Sequence, residues 1–129
     1  MKDLKVGDKF SFRFVVEPKD LDHYGHMNNS AYGQRFEDAR WALSEEKGEG
    51  GRDSVKEAGV GAILREMSIK FKRELVLGEN ASIETLCTDR RHGFTHLEQT
   101  VHKADGELAA IGKFVLVLFD LKTRKVIRR

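Results

Sequence analysis

Residues 20–40 read DLDHYGHMNNSAYGQRFEDAR, and the change of pattern inside this stretch decides the architecture. Over residues 18–29 there is no apolar period and turn-forming residues are dense, which predicts a loop. From Ser30 the period changes: Tyr32, Phe36, Ala39 and Leu43 recur at helical spacing as far as Gly48. Asn28, Asn29 and Ser30 are residue types that cap a helix start. The expectation is one long helix of about 19 residues, roughly 28 Å at 1.5 Å per residue. Its far face is expected to carry Arg35, Asp38, Glu45 and Glu46.

On either side of this stretch the chain reads as strands. Before it, KFSFRFVVE (9–17) alternates, with Phe10, Phe12, Phe14 and Val16 on one face. After it, residues 48–54 (GEGGRDS) read as a loop, with a short turn through Val55–Ala58. Met67, Ile69 and Phe71 then alternate with polar neighbours, and so do Ile83, Thr85 and Cys87 after a turn at Gly78-Glu79-Asn80. His92-Gly93 and Asp105-Gly106 are hairpin signals flanking a polar strand at 94–103. Leu108–Phe119 is nearly all apolar, the pattern of a central strand covered on both faces, and a short tail strand is possible at 124–128. The order is one strand, one long helix, then a four-strand meander. The fold class is therefore α+β, one long helix lying along a curved antiparallel sheet of about five strands.

A chain of 129 residues fits one domain, and at that size it buries enough surface to hold a core without staples. The formal net charge of +2 is too small to point to nucleic acid. The single cysteine, Cys87, excludes an intrachain disulfide and suits a reducing compartment. MKDLKVGDKF at the start carries no apolar leader, and no stretch approaches a membrane span. The expectation is a cytoplasmic protein.

The reactive side chains concentrate at the loop-to-helix junction: Asp20, Asp22, His23, His26, Asn28 and Asn29, followed by Tyr32 and Glu37. The first turn of a helix leaves backbone N–H groups without partners and concentrates partial positive charge. An electron-rich oxygen placed there is stabilised, as in an oxyanion hole. A carboxylate beside such a pocket can activate water or attack a carbonyl itself. A thioester needs little more, because a thiolate leaves readily.

With these residues in view, the stretch resembles the D-x-D-x-x-G-H-x-N-N-x-x-Y…E-x-A-R signature of the 4-hydroxybenzoyl-CoA thioesterase group of hotdog proteins and of the related acyl-ACP thioesterases. Asp20, Asp22, Gly25, His26, Asn28, Asn29, Tyr32, Glu37, Ala39 and Arg40 fit it. IKFKREL (69–75) and the closing hairpins over 91–120 extend the likeness across roughly residues 8–128. The resemblance implies a hotdog fold, a homodimer with a shared ten-stranded sheet or a homotetramer built from two, and sites at subunit contacts. It implies Asp22 as the catalytic carboxylate, acyl-CoA or acyl-ACP as substrate, and no cofactor. By the same likeness, backbone amides near Asn28 and Asn29 polarise the carbonyl. In the plant-type acyl-ACP enzymes the positions matching His26 and Glu74 carry catalytic roles; this chain departs from them at Tyr24, where they carry Asn.

Each of these residues also has a plainer reading. Asp22 can close an Asx turn, Asp20 can hold the loop, and His26 can either catalyse or tie the loop to the helix. Tyr32 can belong to the core and Glu74 can be a solvated charge. A second branch of hotdog thioesterases uses a helix carboxylate, which makes Glu37 a rival to Asp22. The mixed Asp and His ligand types would suit zinc, but the resemblance implies no metal. CoA phosphates need cations at a cleft rim, and Arg73, Arg90 and Arg91, with Lys70 and Lys72, are the candidates. A hotdog enoyl-CoA hydratase or dehydratase, and a non-catalytic acyl-CoA-binding module, are the alternative functions.

Overall fold

The computed structural model describes residues 3–47 and 58–128. Strand β1 (Lys9–Val15) leads through a 3-10 turn at Pro18–Asp20 into the loop that precedes helix α1 (Asn29–Glu46). Then come β2 (Val60–Phe71), β3 (Asn80–Arg91), β4 (Phe94–Lys103), β5 (Leu108–Asp120) and the two-residue β6 (Lys125–Val126). All pair antiparallel in one sheet of order β1-β3-β4-β5-β2, with β6 added at the end of β5. One helix packed on one such curved sheet is the hotdog arrangement.

The two sequence periods meet at one core. Phe10, Phe12 and Phe14 of β1 stand opposite Thr85, Ile83 and Ala81 of β3. The same face continues through Leu97, Gln99 and Val101 of β4 to Phe114, Gly112 and Ala110 of β5. Phe36, Ala39 and Leu43 of α1 are buried on it, and the Phe36 and Phe114 rings lie 5.0 Å apart. Burying Phe36 and Leu43 alone contributes roughly 1.5–3 kcal/mol each. Gly112 lets the helix approach: a Cβ there would collide with the Phe114 ring and press on Phe36. His92 and Gly93 both take positive φ, 53° and 84°, as a two-residue turn between twisted strands requires.

Several expectations need correction. The last four strands do not form a meander: β3, β4 and β5 do, but β2 lies beyond β5 at the far edge. The edge of β3 that β2 would need is taken by β1, and Val16 and Gly78–Glu79 exchange hydrogen bonds where the two strands meet. Alternation reveals which residues face inward but not which strand lies alongside. The β5 segment is interior in the sheet yet covered by α1 on one side only, and Lys113 on the other side is exposed. The tail strand shrinks to Lys125–Val126, and the helix runs Asn29–Glu46 rather than from Ser30 to Gly48.

Arg35 is not on a solvated helix face. It is buried, because its guanidinium lies over the Phe14 ring at 5.0 Å and reaches two carboxylates. The loop read at 48–54, and residues 55–57 of the turn read at Val55–Ala58, lie outside the described residues.

Candidate active site

Residues 21–27 form a miniature hairpin between the 3-10 turn and the helix. Leu21 bridges Met27, the Asp22 amide donates to the His26 carbonyl at 3.1 Å, and Gly25 turns the chain at φ 79°. Asn28 anchors its base. The Asn28 amide donates to the Asp20 carbonyl at 2.9 Å, while its side-chain oxygen accepts from the Ala31 amide at 2.8 Å as the N-cap of α1. The hairpin is also zipped to the segment after β2: the Met27 amide donates to the Leu75 carbonyl at 2.8 Å, and His26 bridges Val76. That segment is held in turn by Glu79, which accepts from the Val76 amide and pairs with Lys103 at 3.1 Å. Lys103 also donates to the Glu74 carbonyl.

This frame aligns three titratable side chains. Asp22 Oδ1 accepts from the Tyr24 amide at 2.9 Å, closing the Asx turn, and Asp22 Oδ2 lies 3.3 Å from His26 Nε2. His26 Nδ1 lies 3.8 Å from Glu74 Oε1. The side-chain exposures of Asp22, His26 and Glu74 are 28%, 37% and 65%, so the row runs from a sheltered carboxylate to an open one. Tyr24 stands at the hairpin tip, almost fully exposed, with its ring edge-on to His26. His23 is exposed beside it.

The hairpin ends where α1 begins. Asn29 and Ser30 are the first two helical residues, and their N–H groups have no intrahelical acceptor. The partial positive charge of the helix start is therefore adjacent to the segment that carries Asp22. Asn28 and Asn29 differ in kind: the Asn28 side chain is spent on capping, while Asn29 can offer its backbone.

Asp20 is buried beneath this arrangement. It accepts from the Glu17 amide at 2.9 Å and from Arg35 Nη2 at 2.7 Å. Burial works against the Arg35 charge, but the hydrogen bonds it donates to Asp20 and Glu17 outweigh it and hold the guanidinium above its ordinary pKa. Tyr32 is buried with its ring 5.0 Å from Phe71, edge to face. Burial, with the nearby charges of Glu79 and Glu74, pushes its phenol up to about 12. It stays a neutral hydroxyl at ordinary pH.

The remaining sequence candidates separate. Glu37 is exposed two turns along α1, about 12 Å from Asn29 at 1.5 Å per residue, and is not part of the hairpin. Arg73 adjoins Glu74 and, with Lys72, Glu107 and Leu108, lines a shallow groove of about 360 Å³. Arg90 and Arg91 end β3, whose other end meets the site, some ten residues and roughly 33 Å along the strand. Arg90 is engaged there with the Leu4 carbonyl and Thr95, and Arg91 with Asp89.

Sequence reasoning missed Glu79 and Lys103. They sit in a turn and at a strand end, and nothing local marks them as partners 24 residues apart. Asn28→Ala is expected to cost about 1 kcal/mol, a few degrees in Tm, with a rise in KM because the hairpin base loosens. Thermal melts and steady-state kinetics check both.

The sequence profile of the Thioesterase-like superfamily matches residues 16–128. Among solved structures, the chain is similar to a Staphylococcus aureus protein determined in complex with CoA, at 20% identity over 98% of this chain and 80% of that one, TM-score 0.86. It is similar to a 1,4-dihydroxy-2-naphthoyl-CoA thioesterase from Synechocystis, at 17% identity over 94% and 89%, TM-score 0.84. It also matches an acyl-ACP thioesterase from Bacteroides thetaiotaomicron at 21% identity and TM-score 0.81, where it covers 92% of its own length and 49% of that chain. These likenesses establish a shared fold. The profile spans nearly the whole chain, and the protein belongs to the Thioesterase-like superfamily.

Proposed function

We propose that the protein hydrolyses an acyl thioester, acyl-CoA or acyl-ACP, to a free carboxylic acid and a thiol. The observation that carries this reading is the Asp22 carboxylate. It is oriented by the Tyr24 amide and His26 on a hairpin whose base is the N-cap of α1. The thioester carbonyl would lie at the first turn, with its oxygen toward the Asn29 and Ser30 amides. Asp22 either takes a proton from water as it attacks the carbonyl carbon, or attacks that carbon itself to form a mixed anhydride that water then cleaves. In both routes the C–S bond breaks and the thiolate leaves. His26 orients Asp22, and Glu74 holds the second imidazole nitrogen. Tyr32 shapes the entry with a neutral hydroxyl.

Arg73 and Lys72 are the cations we assign to the CoA phosphates, since they adjoin Glu74 at the site end of β2. A thiol-release screen over acyl-CoA and acyl-ACP substrates is expected to find turnover. Hydration of an enoyl-CoA with no thiol release, or acyl-CoA binding without cleavage, would replace this reading with one of the alternatives.

A second copy of the chain is the partner we assign. On one side β2 pairs with β5; along it, Ile63, Leu64, Met67 and Phe71 are 39%, 39%, 61% and 49% exposed. A long apolar edge strand left open invites pairing with another chain. Joining two copies along β2 would extend the sheet and bury this stripe. Met67→Lys is expected to convert a sedimenting dimer, or larger species, to a monomer. A wild-type chain that sediments as a monomer would refute the assignment.

A further inference from the structure

Residues 72–79 connect β2 to β3, and the hairpin that carries Asp22 and His26 leans on them. The Leu75 carbonyl accepts from the Met27 amide at 2.8 Å, and Val76 bridges His26. Leu75 itself is fully buried. The backbone groups on either side of it are met by side chains rather than by a strand. The Glu74 carbonyl accepts from Lys103 Nζ at 2.9 Å, and the Val76 amide donates to Glu79 Oε2 at 2.7 Å. Lys103 Nζ and Glu79 Oε1 then close on each other at 3.1 Å. One ion pair thus clasps the connection on both sides of Leu75.

Both halves of this clasp are fixed. Lys103 ends β4 opposite Ala81 of β3, and its amide and carbonyl are tied to Glu107 and Gly106 in the turn to β5. Glu79 precedes β3, and its carbonyl accepts from the Val16 amide at 3.0 Å. The two side chains are 20% and 25% exposed, so water competes for them less than for an open surface pair. Burial first, and then the charges of Glu79 and Glu74, push the Tyr32 phenol up to about 12. Glu79 is therefore within electrostatic reach of the first turn of α1.

What the clasp controls is a contact at the edge of its range. His26 Nδ1 and Glu74 Oε1 are 3.8 Å apart, beyond the length of a good hydrogen bond. A small displacement of the Glu74 peptide closes that gap or abolishes the contact, and the imidazole turns with it. Its other nitrogen, Nε2, is the one 3.3 Å from Asp22 Oδ2. The aim of the Asp22 carboxylate thereby depends on a lysine at the end of β4.

We propose that Glu79 and Lys103 are positioning residues, whose ion pair seats Glu74 and Val76 and so aligns His26 with Asp22. The inference rests on the thioesterase reading above and adds two residues that act on the reaction through others. The rival role for Lys103 is that of a phosphate cation, since its neighbour Glu107 lines the groove assigned to CoA.

The test measures kcat and KM for Glu79→Gln, Lys103→Met and Lys103→Arg. The substrate is whichever of acetyl-, octanoyl-, palmitoyl- and benzoyl-CoA the wild-type protein cleaves fastest. The nitrogen NMR signals of the His26 imidazole, assigned with His26→Gln, are recorded on the same variants. Glu79→Gln keeps an oxygen for the Val76 amide, so the turn survives while the ion pair is lost. Glu79→Gln and Lys103→Met are each expected to lower kcat about tenfold with KM within about twofold, less than the roughly hundredfold that a 1 Å misplacement can cost. Both are expected to shift the His26 signals. Lys103→Arg keeps the charge and enough donors for both oxygens, and is expected to recover most of kcat. Opposite changes in KM at parental kcat, a rise for Lys103→Met and a fall for Glu79→Gln, would assign the lysine to the phosphates and overturn the proposal. A fall in Tm alone, with kcat and the His26 signals as in the parent, overturns it too, because the pair then serves only the fold. If Lys103→Met does not fold, Glu79→Gln decides. Absence of thiol release from every thioester sinks the thioesterase reading, and the His26 signals alone then decide the role of the pair.

Discussion

Asp22→Asn is expected to retain the fold and to lose at least about a hundredfold in thioester turnover, within the usual range for removing a general base. The fold should survive because the asparagine side-chain oxygen can still accept from the Tyr24 amide, which is the Asx-turn contact that Asp22 Oδ1 makes at 2.9 Å. What disappears is the charge on the other oxygen, the one 3.3 Å from His26 Nε2. An amide neither takes a proton from water at neutral pH nor attacks a carbonyl to form an anhydride. The variant thus separates architecture from chemistry: circular dichroism and Tm should be close to those of the parent while kcat collapses. Near-parental turnover across an acyl-CoA panel would remove Asp22 from the mechanism and turn attention to Glu37, the exposed helix carboxylate.

The second large effect concerns stability. Arg35→Leu is expected to cost about 3–5 kcal/mol, because it leaves the Asp20 carboxylate buried at 4% exposure without its cation. That corresponds to a fall in Tm of about 10 °C or more. Arg35 also donates to the Val15 carbonyl at 3.3 Å, so β1, the 3-10 turn and α1 all meet at one guanidinium. Its buried Nε finds no acceptor among the described residues. Adding Asp20→Asn to Arg35→Leu should recover part of the loss, since the uncompensated charge goes with it. A shift in Tm of less than about 2 °C for the single variant would mean that Asp20 is hydrated or protonated at little cost.

Two arginines of α1, Arg35 and Arg40, mark where a reading of the sequence stops. Periodicity assigns Arg35 to the solvated helix face, because its side chain counts as polar there. Only the spatial approach of Glu17 and Asp20, 18 and 15 residues earlier, makes its burial tolerable. Arg40 was legible as part of a motif, but a motif does not reveal that the residue is buried over Phe114 and donates to Gln99. The hairpin at 21–27 was legible only as a loop, since its pairing partner is Leu75–Val76, far along the chain. Likewise Glu74 read as a strand-end charge until the zipped segments brought it to His26.

From its sequence alone, the chain determined the period switch near Ser30, the single long helix, the inward faces of the strands and the crowding of Asp22, His26 and Asn28 at the helix start. Each of these follows from spacing along a few consecutive residues. Tertiary structure decided the order of the strands, the exile of β2 to an apolar edge, the row from Asp22 through His26 to Glu74 and the burial of Arg40 over Phe114. The physical reason is one of range. Hydrogen-bond ladders and side-chain periods act between near neighbours in the chain. Edge choice and ion pairing depend on which distant segments close on one another, and sequences with the same local pattern can close in more than one way.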